Sequence, residues 1–215
     1  MVNPAFTYTT LKTAIQAYAE NDDSDFTDQI DTVIGLAELR LQKEVDLTEN
    51  RQIDSTVAVA SNVDYTTSGA LPTNIVFIRW VKLANDGAFL LPKDESFVYE
   101  FNSNSDAEST PKFYCWKQDE DTLQVAPTPS AAITLEVAYN YRLTGLSDSN
   151  TLSWLGTNAP DALLYACLVE AMAFMKVTDA QRQMWLEMYK RSLDTLKMEE
   201  ENRRRTDEFR RPEKR

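Results

Sequence analysis

The chain contains no histidine, only two cysteines and only five glycines among its 215 residues. Without an imidazole, the serine–histidine and cysteine–histidine pairs that activate nucleophiles cannot form, and histidine-ligated zinc or iron sites cannot form either. Two cysteines are too few for a four-cysteine zinc site within one chain. The glycines are scattered singly, so they build neither a phosphate-binding loop nor a dinucleotide-binding fingerprint. These absences predict a protein that is not an enzyme and has no cofactor or metal, although carboxylate chemistry stays open.

Long apolar runs and export signals are also missing. The longest apolar stretch, residues 162–169, is far shorter than the roughly 18 residues that a membrane-spanning helix needs. The opening residues show no basic segment followed by an apolar one, so we expect neither a secretion signal nor a membrane partner. Cys115 and Cys167 are expected to be reduced thiols, and a disulfide between them is disfavoured.

Negative charge is abundant, with 34 acidic against 22 basic residues and a net charge of −12. Its distribution is uneven. Residues 202–215 hold seven basic and three acidic residues, a net charge of +4, which leaves −16 for the rest of the chain. The acidic body disfavours nonspecific binding to DNA. The basic end has two interpretations, a segment that docks on an acidic partner and a solvated, frayed terminus.

Helical periodicity marks the beginning of the chain. Residues 9–20 place apolar side chains at helical spacing, which predicts a first helix. Residues 26–41 carry one apolar stripe with steps of three and four, which predicts a single second helix. Gly35 lies within that helix, where glycine costs about 1 kcal/mol relative to alanine. It indicates either close packing against another helix or a tolerated surface position.

Two more helices are predicted near the other end. Pro160 favours a helix start, and residues 178–181 form a capping box for the last helix. Met184 and Met188 fall on the apolar side of that last helix, and glutamates 199–201 can pair with arginines 203–205 in an exposed, charged extension. The residues that we expect to be core or interface anchors of the bundle are Trp154, Leu164, Leu168, Trp185 and Tyr189.

The periodicity changes to two between residues 55 and 142. Apolar and polar residues alternate most clearly over residues 133–142, which is typical of a strand in an antiparallel sheet with one solvated face. Residues 85–87 read Asn-Asp-Gly, a hairpin signal, and the segment after Pro92 predicts a short helix. Strands at 113–117 and 123–126 are predicted to form a second hairpin.

The predicted fold is therefore α+β. Helices from both ends of the chain form a bundle, and an antiparallel β region of five or six strands, a sandwich or partial barrel, is inserted between them. The expected divisions are residues 1–50 for the N-terminal helices and 51–148 for the β region. Residues 149–201 form the C-terminal helices, and 202–215 form a basic C-terminal extension.

The order of these features resembles the head-to-tail adaptor, or connector, proteins of tailed and especially short-tailed bacteriophages. The resemblance covers nearly the whole chain and rests on an ordered set of helix-packing and capping patterns. These are Leu-Arg-Leu-Gln-Lys-Glu-Val at 39–45, Leu71-Pro72, Trp80, Ser153-Trp154-Leu155, Asn158-Ala159-Pro160-Asp161, Leu164-Tyr165-Ala166, residues 168–171, Trp185 and Tyr189. Gly156 departs from the pattern, which favours a larger apolar residue there, and this departure predicts a looser cap.

The resemblance implies a structural role in the virion. Such adaptors form a homo-oligomeric ring, usually a dodecamer, beneath the portal protein and connect it to a tail nozzle or tail-tube protein. They assemble in the host cytoplasm after packaging, complete the head and let DNA pass through a channel. Their C-terminal segments reach onto the portal. The matching portal-docking candidates in this chain are Arg203, Arg204, Arg205, Phe209, Arg210 and Arg211.

Two other functions stay open at this point. A nucleic-acid-binding protein would use the arginine-rich end, against the repulsion of the acidic body. A carboxylate enzyme, such as a glycosidase, would use two acids of the β region. Its candidates are Asp119, Glu120 and Asp121, which lie in a predicted turn. The acidic body suggests a further hypothesis for the adaptor, in which a negatively charged channel wall keeps DNA from adhering.

Overall fold

The computed structural model describes residues 5–59, 71–103, 108–117, 122–175 and 177–207. The chain divides into two compact units, a helical unit of Met1–Thr48 with Leu143–Arg215 and a β unit of Glu49–Arg142. In chain order the elements are α1 (Tyr8–Ala19), α2 (Ser24–Thr27), α3 (Ile30–Glu44), a 3-10 turn (Thr48–Asn50), β1 (Arg51–Val59), β2 (Ile75–Leu83), β3 (Phe89–Pro92), α4 (Glu95–Phe101), β4 (Phe113–Lys117), β5 (Thr122–Ala126), β6 (Ile133–Tyr141), α5 (Trp154–Asn158), α6 (Pro160–Met175) and α7 (Asp179–Asp207).

The helical unit is built around α6, which packs against α1, α3 and α7. This helix is apolar around much of its circumference, as a central helix requires. Thr7 caps α1 through a reciprocal pair of hydrogen bonds with Thr10, and Thr178 and Gln181 form the predicted capping box of α7. The fully buried side chains of the core include Leu11, Ile15, Phe26, Ile30, Ile34, Leu41, Leu47 and Leu163.

Two details of the first helices differ from the prediction. The second helix is broken, because α2 ends at Thr27 and α3 begins at Ile30. The intervening turn keeps Phe26 and Ile30 buried together, so the apolar stripe survives the break. Gly35 is a surface glycine, since a methyl group placed there would meet no atom within 4 Å. Of the two interpretations of Gly35, the tolerated surface position is confirmed and close packing against another helix is wrong.

The β unit is one curled, six-stranded sheet, a half-barrel, with strand order β1-β6-β2-β3-β4-β5. The α+β class and the partial-barrel form are confirmed. Four of the five strand pairings are antiparallel, as predicted, but β3 and β4 pair in parallel. The reason is the connection between them: α4 crosses from one strand to the next and returns the chain in the same direction, as parallel pairing requires.

The two faces of the sheet pack in different ways. The inner face, with the predicted alternating residues of β6 such as Leu135, Val137 and Tyr139, forms the core of the unit. On the outer face, α4 covers the β4–β5 end, where Val98 packs with Cys115 and Ala126. The turn between β2 and β3 contains Gly87 at φ 66°, as the Asn-Asp-Gly signal predicts.

Two further expectations concern the state of the two cysteine thiols and helices that could span a membrane. Cys115 and Cys167 are both free and buried. No helix in the described part of the chain is long and apolar enough to cross a membrane.

Candidate functional site

The C-terminal part of α7 is where the sequence placed its candidate docking residues. The helix runs for 29 residues to Asp207, beyond the end of its apolar pattern near Met198. Its middle part buries Tyr189, Leu193 and Leu196 against the rest of the helical unit. The predicted charged extension of the helix is therefore present up to Asp207.

Glu200 anchors this extension. Its side chain is only 1% exposed, and its Oε2 accepts a hydrogen bond of 2.7 Å from the backbone N–H of Thr48. That N–H belongs to the first residue of the 3-10 turn after α3. Oε1 forms an ion pair of 2.9 Å with Arg203 Nη1, one turn further along α7. A buried carboxylate needs such partners, because desolvation would otherwise make it strongly destabilising.

Arg203 and Arg204 bind within the helical unit as well. The guanidinium of Arg203 lies over the ring of Trp154, 5.6 Å from its centroid. Arg204 pairs with the Asp46 carboxylate at 3.1 Å and also donates to the Asp46 carbonyl oxygen. The predicted pairing of glutamate and arginine along α7 is confirmed for Glu200 and Arg203. The expectation of a fully exposed extension is wrong at Glu200, which is buried and binds Thr48 after α3.

The other docking candidates are only partly described. Arg205 lies within α7, but its side chain falls outside the described residues. Phe209, Arg210 and Arg211 also lie outside them. The structure therefore places two of the six candidates, and both make contacts inside the helical unit.

A second close contact connects the beginning of the chain to α5. Ser153 caps this short helix through the N–H of Gly156 at 3.1 Å, and the Gly156 carbonyl accepts the N–H of Phe6 at 2.8 Å. A Cβ on Gly156 would lie 2.5 Å from the Phe6 carbonyl oxygen. The expectation of a looser cap at this glycine is therefore wrong. The glycine permits the close approach of two backbone segments.

The predicted anchors all lie around the same bundle. Leu164 and Leu168 are buried on α6, and Trp154 is half-buried under Arg203. Trp185 contacts Tyr18 edge-to-face at 6.0 Å and Tyr165 at 6.3 Å.

Tyr189 is a buried polar anchor of the same bundle. Its hydroxyl donates to Glu44 Oε2 at 2.9 Å. Burial, together with the hydrogen bond to the Glu44 carboxylate, raises the pKa of Tyr189. The hydroxyl therefore stays protonated and acts as a structural donor between α7 and α3.

Sequence reasoning missed a buried carboxylate, Glu38, on α3. Its Oε2 accepts the backbone N–H of Leu146 at 2.8 Å, and its Oε1 has no hydrogen-bond partner among the residues that the structure describes. Burial raises the pKa of Glu38, against the hydrogen bonds from Leu146 and Ser153 that lower it. A signal was present in the sequence, because Glu38 lies four residues after Ile34 and three before Leu41, on the apolar stripe itself.

An open groove runs beside α7 and α6, with a volume of about 540 Å³. Its apolar lining includes Leu164, Tyr165 and Leu196, and its rim carries the carboxylates of Asp161 and Glu199. Within the described ranges no three acidic or cysteine side chains are grouped to hold a metal ion. The acids that a carboxylate enzyme would use, Asp119, Glu120 and Asp121, lie outside the described residues. The described residues thus provide a firmly anchored end of α7 and an open groove beside it, which suit binding to other proteins.

Comparison with known families shows a match over most of the chain. The family described as SU10 adaptor protein matches residues 6–213, which include segments of both the helical unit and the β unit. No curated protein shows a significant match to the chain.

Proposed function

The chain belongs to the SU10 adaptor protein family, and we propose that it forms a ring, a dodecamer, that joins the portal vertex of a phage head to the tail. Membership makes it a structural adaptor protein of the bacteriophage virion. The proposal adds the ring, its position between the portal and a tail nozzle or tail-tube protein, and a central channel through which DNA passes. It also assigns the virion to the short-tailed phages and assembly to the host cytoplasm.

The observation that carries this proposal is the anchored end of α7. Glu200, Arg203 and Arg204 tie the last turns of this helix to the helical unit. A rigidly held helix end is a suitable base for a docking segment, because less conformational freedom is lost when the segment binds.

The six docking candidates then divide into two groups with different tasks. In this proposal Arg203 and Arg204 mainly position the end of α7. Arg205, Phe209, Arg210 and Arg211 supply three guanidinium groups and one aromatic anchor for an acidic, partly apolar surface. A single exposed ion pair contributes only about 0–1 kcal/mol, so stable docking depends on many copies binding at once.

The charge of the body supports the channel part of the proposal. Outside residues 202–215 the chain carries a net charge of −16. An acidic channel wall repels the phosphate backbone and keeps DNA mobile during packaging and ejection. A structure of the assembled ring with a neutral or basic channel wall would refute this part.

The test is co-sedimentation with portal rings encoded in the same genome. We compare the full chain with a version that ends at Asp207, which keeps α7, its anchors and Arg205 but lacks residues 208–215, with Phe209, Arg210 and Arg211. We expect the full chain to sediment with the portal in near-equal copy number, and the shortened chain to lose at least tenfold in affinity. Equal binding by the two versions would refute docking through this segment, and no binding by the full chain would refute the portal role.

A pair of charge reversals provides the matched control. Arg210→Glu with Arg211→Glu should weaken portal binding as the truncation does. Lys190→Glu with Lys197→Glu makes the same change in net charge on exposed positions of α7 and should leave it unchanged. If both pairs weaken binding equally, the effect is one of overall charge.

A gel shift with DNA tests the nucleic-acid-binding alternative, which predicts a salt-dependent complex lost in the shortened chain.

A further inference from the structure

The outer face of the sheet has an apolar patch that the β unit itself leaves uncovered. Strand pairing places Ile53 and Trp80 beside Ala138, Phe77 beside Asn140 and Phe89 beside Lys82, all on the face opposite the core. Trp80 and Phe89 contact each other edge-to-face at 5.5 Å. We call Ile53, Phe77, Trp80, Phe89 and Leu91 the outer sheet patch.

This patch is exposed to an unusual degree. The exposed fractions of Ile53, Phe77, Phe89 and Leu91 lie between 50% and 63%. If each large apolar side chain presents about half of roughly 200 Å², these four together expose about 400 Å². That is within the range for the largest apolar patch on a typical monomer, and such patches are often functional.

The helical unit has an apolar surface of its own that is also uncovered. The sequence pattern assigns Met184 and Met188 to the apolar side of α7, yet both are more than 40% exposed. Tyr18, which contacts Trp185, is also half exposed and lines the groove beside α7. Met188 lies one turn before Ser192, another lining residue of the groove. We call Met184, Met188 and Tyr18, with the groove, the α7 face.

The groove rim and the outer sheet patch carry exposed charges of opposite sign, whereas Glu187 and Arg191 beside Met184 and Met188 are of mixed sign. Asp161 and Glu199 on the rim of the groove form no ion pair with any described residue. Near the outer sheet patch, Arg79 is exposed on β2, and exposed Lys93 lies over the rings of Phe97 and Phe113. Complementary charge of this kind steers and orients two apolar surfaces.

From these observations we propose that the outer sheet patch of one copy docks on the α7 face of the next copy. The occupant of each surface is thus a second copy of this chain. A closed ring needs two different, mutually complementary surfaces on each subunit, whereas a surface that pairs with itself gives only a dimer. The inference rests on the proposed ring and identifies the contact that builds it.

The size of the patch also bears on how assembly proceeds. A stable interface buries about 800 Å² on each partner, roughly twice the exposed area of the four patch residues. A single contact between two free chains is therefore weak. Closure into a ring, or attachment of neighbouring copies to the same portal, supplies the effective concentration that stabilises it.

Cysteine cross-linking tests the contact without interference from the native thiols. Cys115 and Cys167 are both buried, and burial raises the pKa of each thiol, so neither should react with maleimide in the folded chain. We compare Phe89→Cys, Met188→Cys and the double variant, each treated with a short bismaleimide in the assembly that the wild type forms, on the portal or alone.

The double variant is expected to give a ladder of dimers, trimers and larger species. Each single variant should stay monomeric, and a mixture of the two single variants should stop at dimers. Phe89→Cys combined with Thr13→Cys, an exposed position on α1, controls for random collision. Dimers from Phe89→Cys alone would show that the sheet patch pairs with itself and overturn the proposal. An intact assembly that gives no ladder would also overturn the proposed contact, but it would not contradict the portal role. A wild type that assembles in neither condition overturns both proposals.

Discussion

The carboxylate of Glu200, near the end of α7, accepts the backbone N–H of Thr48 at 2.7 Å, across 152 positions of the sequence. The contact connects the last helix to the corner where the first group of helices ends. It satisfies the first N–H of the 3-10 turn and places a buried negative charge beside Arg203. Glu200 is thus one of the side chains, with Arg203 and Arg204, that hold the C-terminal end of α7 in place.

Replacing Glu200 tests this anchor. Glu200→Ala leaves the Thr48 N–H without its acceptor and removes the partner of Arg203, so we expect the free energy of unfolding to fall by about 2–3 kcal/mol. Glu199→Ala, at the neighbouring exposed position, should change it by less than about 0.5 kcal/mol. Urea unfolding followed by far-UV circular dichroism measures both. Similar losses in the two variants would show that the buried contact is not the cause.

Two glycines are expected to respond to alanine with opposite signs. Gly156→Ala places a methyl group 2.5 Å from the Phe6 carbonyl oxygen and should destabilise the fold by about 1–3 kcal/mol. Gly35→Ala, on the exposed surface of α3 with nothing within 4 Å, should stabilise it by up to about 1 kcal/mol. Thermal unfolding of the two variants is the measurement. A stabilising Gly156→Ala would contradict the close backbone approach.

The buried Glu38 should make stability depend on pH. Burial raises its folded pKa above the ordinary 4.5, so the folded chain holds this proton more tightly than the unfolded chain. The stabilisation from the neutral form is complete below pH 4.5 and is lost as the pH rises through the raised folded pKa. Glu38→Gln lacks this titration, so the stability of the wild type relative to the variant should fall over that window.

Urea unfolding at a series of pH values above and below 4.5 measures this difference. Glu187→Gln, on the exposed side of α7, is the matched carboxylate without burial and serves as the reference for general charge effects. A difference between wild type and Glu38→Gln that rises with pH would reverse the sign and refute the argument.

The central position of α6 predicts a large effect at Leu168. This side chain is buried in the core, and Leu168→Ala should lower the free energy of unfolding by about 2–5 kcal/mol through lost contacts and a cavity. Leu36→Ala makes the same chemical change at a half-exposed position of α3 and should cost much less. Chemical unfolding of both variants measures the two losses in the free energy of unfolding. Equal costs would mean that α6 is not the centre of the core.

The elements of this fold with local patterns were predictable from the sequence. The alternation in β6, the capping box before α7 and the apolar stripe of α3 each reflect a spacing of side chains that selects strand or helix locally. The same reasoning assigned the α+β class and left a sandwich or a partial barrel open, of which the structure has the partial barrel. It did not foresee the parallel pairing of β3 with β4, because pairing direction depends on where α4 leads the chain.

The candidate site was predicted less completely. Charge and the family resemblance together indicated residues 203–211, but they could not show that Arg203 and Arg204 bind within the helical unit. The sequence pattern placed Glu200 on a solvated extension, since a run of three glutamates has no apolar periodicity. Gly156 looked like a weak cap because a sequence does not show the Phe6 carbonyl beside it.

The sequence by itself determined the helices, most of the strands and the separation of a basic end from an acidic body, because these follow from periodicity and charge within short segments. Only the tertiary structure decided which charges are buried and which apolar side chains stay exposed. Glu200 and Glu38 are covered by distant segments, whereas Met188 and Phe89 are not. Burial depends on contacts between residues far apart in the chain, which a local pattern such as the stripe around Glu38 indicates only in part.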